Sequence, residues 1–131
     1  MIVYLDTSAA LKLLVDEVES DLLVDWLGAL GESDHLVSSF LLCTELYCAA
    51  SRRVQFDSDS VERLLAGVSL VRLEEEHLVL AARAGWGLRA GDAIHLATAQ
   101  LLAVDVLVAY DRELIAAGRA AGLPTLSPGR G

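Results

Sequence analysis

The chain has 131 residues, 54% of them apolar, and a formal net charge of −9. That length suits one domain with a real core, and so acidic a balance argues against broad, unspecific electrostatic binding of nucleic acid. It does not exclude a nuclease, because an acidic site can recruit phosphate through bound cations. The first residues, "MIVYLD", carry no basic stretch and read as a strand over 2–5 rather than a signal peptide. No apolar run reaches the roughly 18 uncharged residues of a membrane span, so a soluble cytoplasmic protein is expected.

Helical patterns follow at 8–15 and 19–30, then a strand at 36–38 and a helix at 40–53. Further helices are expected at 58–67, 75–86, 92–103 and 112–121, with strands at 70–73, 106–109 and 125–126. Strands alternating with helices imply an α/β fold, a parallel sheet covered by helices on both faces. The unbroken apolar runs "IVYL" and "VLVA" suit strands buried on two sides. One domain over 1–128 is expected, with 129–131 a flexible tail. Cys43 and Cys48 are too few for a disulfide framework or a zinc cage; their apolar surroundings predict buried, reduced thiols.

In such a sheet all strands end at one edge, and ligands bind outside it near the switch in strand order. Three acids fall there. Asp6 follows "IVYL", Asp111 follows "VLVAY", and Asp92 opens the helix of "RAGDAIHLATAQLL". Helix capping explains any one of them, since Asp is a favoured N-cap and the helix dipole welcomes it. Capping is compatible with a second role, because a capping Asp can turn one oxygen towards a metal.

Glu45 is harder to explain away. Its helical neighbours are Leu41, Leu42, Cys48 and Ala49, and a carboxylate on an apolar face is costly unless paired, protonated or coordinated. Arg52, two turns along, is one candidate partner; the other reading turns Glu45 inwards to the three aspartates. Two ionised carboxylates at 4 Å repel by about 4 kcal/mol at an effective dielectric of 20. A cluster of four needs raised pKa values or a cation. Oxygen ligands without Cys or His favour Mg²⁺ or Mn²⁺ over zinc, and a carboxylate-held Mg²⁺ suits phosphate chemistry.

The set "YLDTSAALKLL", "VSSFLLCTELYCAASRR", "LRAGDAIHLATAQLL" and "VLVAYDRELIAAGRAAGLPTLSP" resembles the PIN-domain family over nearly the whole chain, and more closely the ribonuclease toxins of VapBC toxin–antitoxin type. The resemblance implies strand order 3-2-1-4-5 and divalent-metal-dependent cleavage of RNA phosphodiesters. It also implies an acidic quartet of Asp6, Glu45, Asp92 and Asp111. Asp6 and Asp92 would be direct metal ligands, and Glu45 a ligand directly or through water. Asp111 would bind a second ion or orient the attacking water. Thr7 and Ser8 would support the site, though capping explains them equally well. A small VapB-type antitoxin and a homodimer or toxin–antitoxin hetero-oligomer are the implied partners.

One departure stands out. Many members carry Thr or Ser two positions before the last Asp, where this chain has Ala109. Gly91, where many relatives have a larger residue, is given less weight. His95, three residues after Asp92, reads as a core histidine with a hydrogen-bond partner, because its helix is apolar nearly all round. His35 and His77 have no evident partner. Arg52, Arg53, Arg89 and Arg112 are candidates for backbone phosphates, with internal salt bridges the rival reading. Trp26 and Trp86 read as core.

The competing reading is a catalytically weakened PIN-like module that binds within a protein complex. A phosphatase or phospho-receiver ranks last. The first wants an Asp where Ser8 stands, and the second a late Lys, yet the single Lys is Lys12.

Overall fold

The computed structural model describes residues 1–130. Strands β1 (Ile2–Leu5), β2 (His35–Ser39), β3 (Ser69–Val71), β4 (Val106–Val108) and β5 (Thr125–Leu126) form one sheet in the order β3-β2-β1-β4-β5. All neighbouring strands run parallel. Between them lie α1 (Thr7–Leu14), α2 (Ser20–Gly28), α3 (Leu41–Arg52), α4 (Ser58–Ala66), α5 (Glu75–Arg83), α6 (Ala90–Leu101) and α7 (Arg112–Ala120). Every expected element is present and the strand order is the expected one. Boundaries move by one to three residues, and α6 begins at Ala90 rather than 92.

Side-chain alternation along the strands divides the core in two. Val3, Leu5, Val108 and Tyr110 face one way, against Ala9 and Ala10 of α1, Leu23 of α2, Leu42 and Leu46 of α3, and Val61 of α4. Tyr4, Leu107 and Ala109 face the other way, against Leu96 and Ala99 of α6 and Leu114 of α7. Both faces are therefore covered, which is what unbroken apolar strands require.

The strand order also places the site. From β1 the chain builds outward through β2 and β3, then returns to add β4 and β5 on the other side. The crevice between the carboxyl ends of β1 and β4 is the topological switch point. Leu5 is paired with Val108, and the Asp6 N–H donates to the Val108 carbonyl at 3.0 Å. Asp6 and the segment leading to Asp111 thus leave adjacent strands side by side.

The cysteines correct the sequence reading. The inward stripe of α3 is Leu42 and Leu46, one turn apart, and positions 43 and 48 fall off it. Cys43 is only half-buried and Cys48 is exposed; both are free thiols. Among the histidines, His77 is buried and completes the capping box of α5, accepting the Glu74 N–H at Nδ1.

Gly118 marks a close approach of α7 to the sheet. A Cβ there would meet Thr125 Cγ2 at 3.1 Å, with Leu107 and Leu96 methyls just beyond. Gly28, at the end of α2, has open space around the same point. The two should respond oppositely to added bulk. Gly118→Val is expected to destabilise the fold by about 1–3 kcal/mol through overpacking. Gly28→Ala is expected to stabilise it by about 0.5–1 kcal/mol through helix propensity. Urea midpoints at constant m-value measure both.

Candidate active site

Asp6 is the N-cap of α1, and its carboxylate does two jobs. Oδ2 accepts the Ser8 N–H at 3.0 Å and the Ser8 hydroxyl at 2.6 Å. Oδ1 is buried without any hydrogen-bond partner; the His95 imidazole stands 4.0 Å from it. Asp6 as a whole is 1% exposed. Burying a carboxylate oxygen unpaired is costly, and the cap already satisfied does not call for it. Capping therefore accounts for one oxygen of Asp6 and leaves the other unexplained.

Ser8 ties this corner to the next strand. Its Oγ, besides donating to Asp6, accepts the Tyr110 N–H at 2.8 Å and lies 3.3 Å from the Asp111 nitrogen. Asp111 in turn caps α7, its Oδ1 accepting the Leu114 N–H at 3.0 Å. The hydroxyl thus fixes the first and last acids relative to each other.

Glu45 does turn inwards. Its Oε1 accepts from the Thr7 hydroxyl at 2.7 Å and from His95 Nε2 at 2.6 Å. Arg52 is not its partner: position 52 lies two turns along α3 at the solvent-exposed end. Glu45 Oε2 lies against the start of α6, where a Cβ on Gly91 would come within 3.0 Å of it. Gly91, given less weight from sequence, is thus within contact distance of the Glu45 carboxylate, a flexible group that a small side chain at 91 would displace by only a few tenths of an ångström.

His95 is a core histidine with partners, and those partners belong to the site. It is fully buried; Nδ1 pairs with the Tyr4 hydroxyl at 2.7 Å, and Tyr4 itself accepts the Ser39 N–H at 3.0 Å. Burial pushes the His95 pKa down. The Glu45 hydrogen bond and the charges of Asp6, Glu45 and Asp92 outweigh that, so it ends above the ordinary value. Glu45 shows the reciprocal balance. Burial raises its pKa, but the His95 hydrogen bond and charge, with Thr7, bring it below the usual carboxylate range. The spacing of three from Asp92 to His95, visible in the sequence, sets both on one side of α6, and the core histidine expected there has its hydrogen-bond partners in Tyr4 and Glu45.

Asp92 is not a cap. The N-cap of α6 is Arg89, which makes no side-chain cap bond, and Asp92 sits in the first turn. Its pKa is pushed up to about 6, first by burial, then by the negative charges of Asp6 and Asp111, with Glu45 adding and His95 opposing. Asp6, Asp111 and Glu45 therefore all act on Asp92 across the crevice. No Lys or Arg among the described residues is ion-paired to any of them. Nor do any three His, Cys, Asp or Glu side chains among those residues already close into a ready cage.

A family model for the PIN domain matches residues 3–120. The chain is a PIN-domain protein. It is 36% identical to Ribonuclease VapC47 of Mycobacterium tuberculosis, over 97% of each chain. VapBC2 from Rickettsia felis, bound to a DNA fragment from its promoter, has the same fold with a TM-score of 0.76 and 14% identity, over 96% of this chain and 98% of that one. Mycobacterium tuberculosis VapC20, a Sarcin-Ricin loop cleaving toxin, superposes with a TM-score of 0.74 and 15% identity, over 96% and 99%.

The residues of this PIN domain fit a hard divalent cation. The donors are all carboxylate oxygens, one of them, Asp6 Oδ1, is buried and unpartnered, and Asp92 carries repulsion that a cation relieves.

That repulsion has a measurable consequence for stability. With its folded pKa above the ordinary value of 3.8, Asp92 binds more protons folded than unfolded. Its contribution to stability is therefore highest below about pH 4 and is lost as pH rises through about 6. In metal-free buffer, Asp92→Asn is expected to melt higher than wild type at pH 7.5, with the difference shrinking towards pH 5. Thermal midpoints in EDTA across that range test it, and a difference independent of pH would contradict it.

Proposed function

We propose that this PIN domain is a divalent-metal-dependent endoribonuclease toxin that hydrolyses RNA phosphodiester bonds and is neutralised by a VapB-type antitoxin. The observation that carries this reading is the buried, unpartnered Oδ1 of Asp6 at the switch point, beside an Asp92 whose pKa is pushed up by burial and by the charges of Asp6, Asp111 and Glu45. The similarity to VapC ribonucleases supports the substrate class, and the likeness to a VapBC complex supports the partner. No helix among the described residues is long and apolar enough to cross a membrane; the proposed place of action is the cytoplasm.

In this proposal Asp6, through Oδ1, and Asp92 hold Mg²⁺ or Mn²⁺, with Glu45 contributing directly or through water. When bound, the cation neutralises charge on the phosphate and makes a coordinated water more acidic. The chain's own groups do the positioning. Ser8 fixes the Asp6 carboxylate by holding Oδ2. Thr7 and His95 hold Glu45 at the edge of the crevice, and Tyr4 holds His95. Asp111, locked by its cap to α7, orients the attacking water. Water attacks phosphorus in line; the P–O bond opposite breaks, leaving one phosphate monoester and one hydroxyl.

Ala109 is fully buried in the α6-side core, so the hydroxyl many relatives carry at that position is supplied by no side chain there. The proposal therefore assigns Asp111 to water and not to a second ion.

The test combines cleavage with growth. Expression of the wild type alone is expected to arrest growth, and purified protein to cut RNA with Mg²⁺ but not with EDTA. Asp6→Asn and Asp92→Asn should each lower the cleavage rate by about 10²-fold or more and relieve the arrest. Unchanged toxicity in both variants overturns the reading. No metal-dependent cleavage, together with antitoxin binding indifferent to both substitutions, would mark the chain as a binding module.

A further inference from the structure

Positive charge also gathers along α7, from Arg112 at the carboxyl edge to Arg119 beside the start of β5. α7 and β5 wall a cleft of about 360 Å³, lined by Arg112, Arg119 and Arg130 and by no Asp or Glu. That composition runs against the chain, in which Asp and Glu outnumber Lys and Arg by 19 to 10. With acids in such excess, every arginine has carboxylates to choose from. Among the described residues Arg112 and Arg119, like every arginine but Arg130, are ion-paired to none of them.

The guanidinium groups are aimed by contacts that leave donors spare. Arg112 and Arg119 are seven residues apart on α7, hence on one side of it and about 10 Å apart along its axis. Arg119 donates Nε–H to Thr125 Oγ1 at 2.7 Å, which leaves both its Nη groups. Arg130 donates from Nη1 to the Tyr110 carbonyl at 2.6 Å and lies 5.3 Å over the Tyr110 ring. Its other Nη meets Glu19 at 3.4 Å. Ile115 and Leu126 give the cleft an apolar wall.

The cleft and the acidic site share a lip. Asp111 caps the helix whose first residue is Arg112. Tyr110 gives its N–H to Ser8, the residue that fixes Asp6, and its carbonyl to Arg130. A strand lying across the acids meets this cleft next.

Resting on the ribonuclease reading, we propose that the cleft of Arg112, Arg119 and Arg130 is a backbone-phosphate subsite for the RNA strand, one step along from the bond being cut. Guanidinium forks match phosphate oxygens in pairs, and an apolar wall accepts a ribose or base without reading its identity. Contacts of this kind set register and affinity rather than sequence preference. An acidic polypeptide is the rival occupant; the shared lip with the site of cleavage favours RNA.

The experiment measures binding of a single-stranded oligoribonucleotide in Ca²⁺ at 50 to 200 mM KCl, and steady-state cleavage of the same oligonucleotide in Mg²⁺. Arg112→Gln/Arg119→Gln, both exposed positions, is expected to flatten the slope of log affinity against log salt by about 1.4, or 0.7 for each lost contact. It should raise KM about tenfold while leaving kcat within about twofold. Arg63→Gln/Arg83→Gln, both exposed positions, removes equal charge elsewhere and should change the slope by less than half as much. An unchanged slope and KM in the first variant, with a wild type that binds and cuts RNA, overturns the subsite alone. Equal effects from both double variants also overturn it, since bulk charge then suffices. Loss of polyglutamate binding without a change in RNA slope would name an acidic polypeptide as occupant and overturn it likewise. A wild type that neither binds nor cuts RNA overturns the ribonuclease reading and this subsite together.

Discussion

Four carboxylates converge on one crevice with a single internal counter-group, and that group is a buried histidine. At an effective dielectric near 20, each close pair of ionised acids costs about 4 kcal/mol at 4 Å. The fold meets this in two ways without a metal. His95 takes Glu45 at 2.6 Å and shares its charge with Asp6 and Asp92. Asp92, which has no such partner, keeps its proton to higher pH. A site that is electrostatically incomplete by itself is what a cation-dependent enzyme requires, because the free energy of relieving repulsion becomes free energy of binding the ion.

The positions of the acids follow from helix physics as much as from chemistry. Asp6 and Asp111 cap α1 and α7, and each cap spends an oxygen on a backbone N–H. That fixes the side-chain torsion, so the second oxygen has a defined direction instead of a choice of rotamers. A cap of this kind stabilises the fold by about 1 kcal/mol while it orients a candidate ligand. Asp92 is placed otherwise, in the first turn of α6, where the helix dipole offsets part of its repulsion. Glu45 comes from a helix middle and needs a longer reach, and its Oε2 lies against Gly91 at the start of α6.

What the sequence disclosed and withheld divides along the same line. Period-two and period-3.6 patterns, with unbroken apolar strands, were enough for all twelve elements and, with the family resemblance, for the strand order. Strands ending on an acid were enough to put Asp6 and Asp111 at one edge. Side-chain pairing was not legible. His95 looked like core because its helix is apolar all round, and it is core, but one imidazole can be buried and still face two functional groups. Gly91 was given little weight, and its contact with Glu45 Oε2 joins two elements far apart in sequence, which no local pattern discloses. Cys48 looked buried because its neighbours are apolar, although the inward stripe of α3 is set by Leu42 and Leu46. Propensity and composition describe a residue's surroundings on average, whereas these three depend on a direction.

The charge layout finally gives the proposed reaction a physical order of events. An acidic protein repels a polyanion over roughly a Debye length, about 8 Å at physiological salt, and the acidic crevice repels it most. In the proposed reaction RNA approach is favoured where cations stand, and the two such places that meet are the arginine-lined cleft beside α7 and a loaded metal site. Neither suffices alone: the arginines hold no reacting atom, and the carboxylates without an ion push phosphate away. Catalysis confined to the meeting point of the two follows from the sign of the charges.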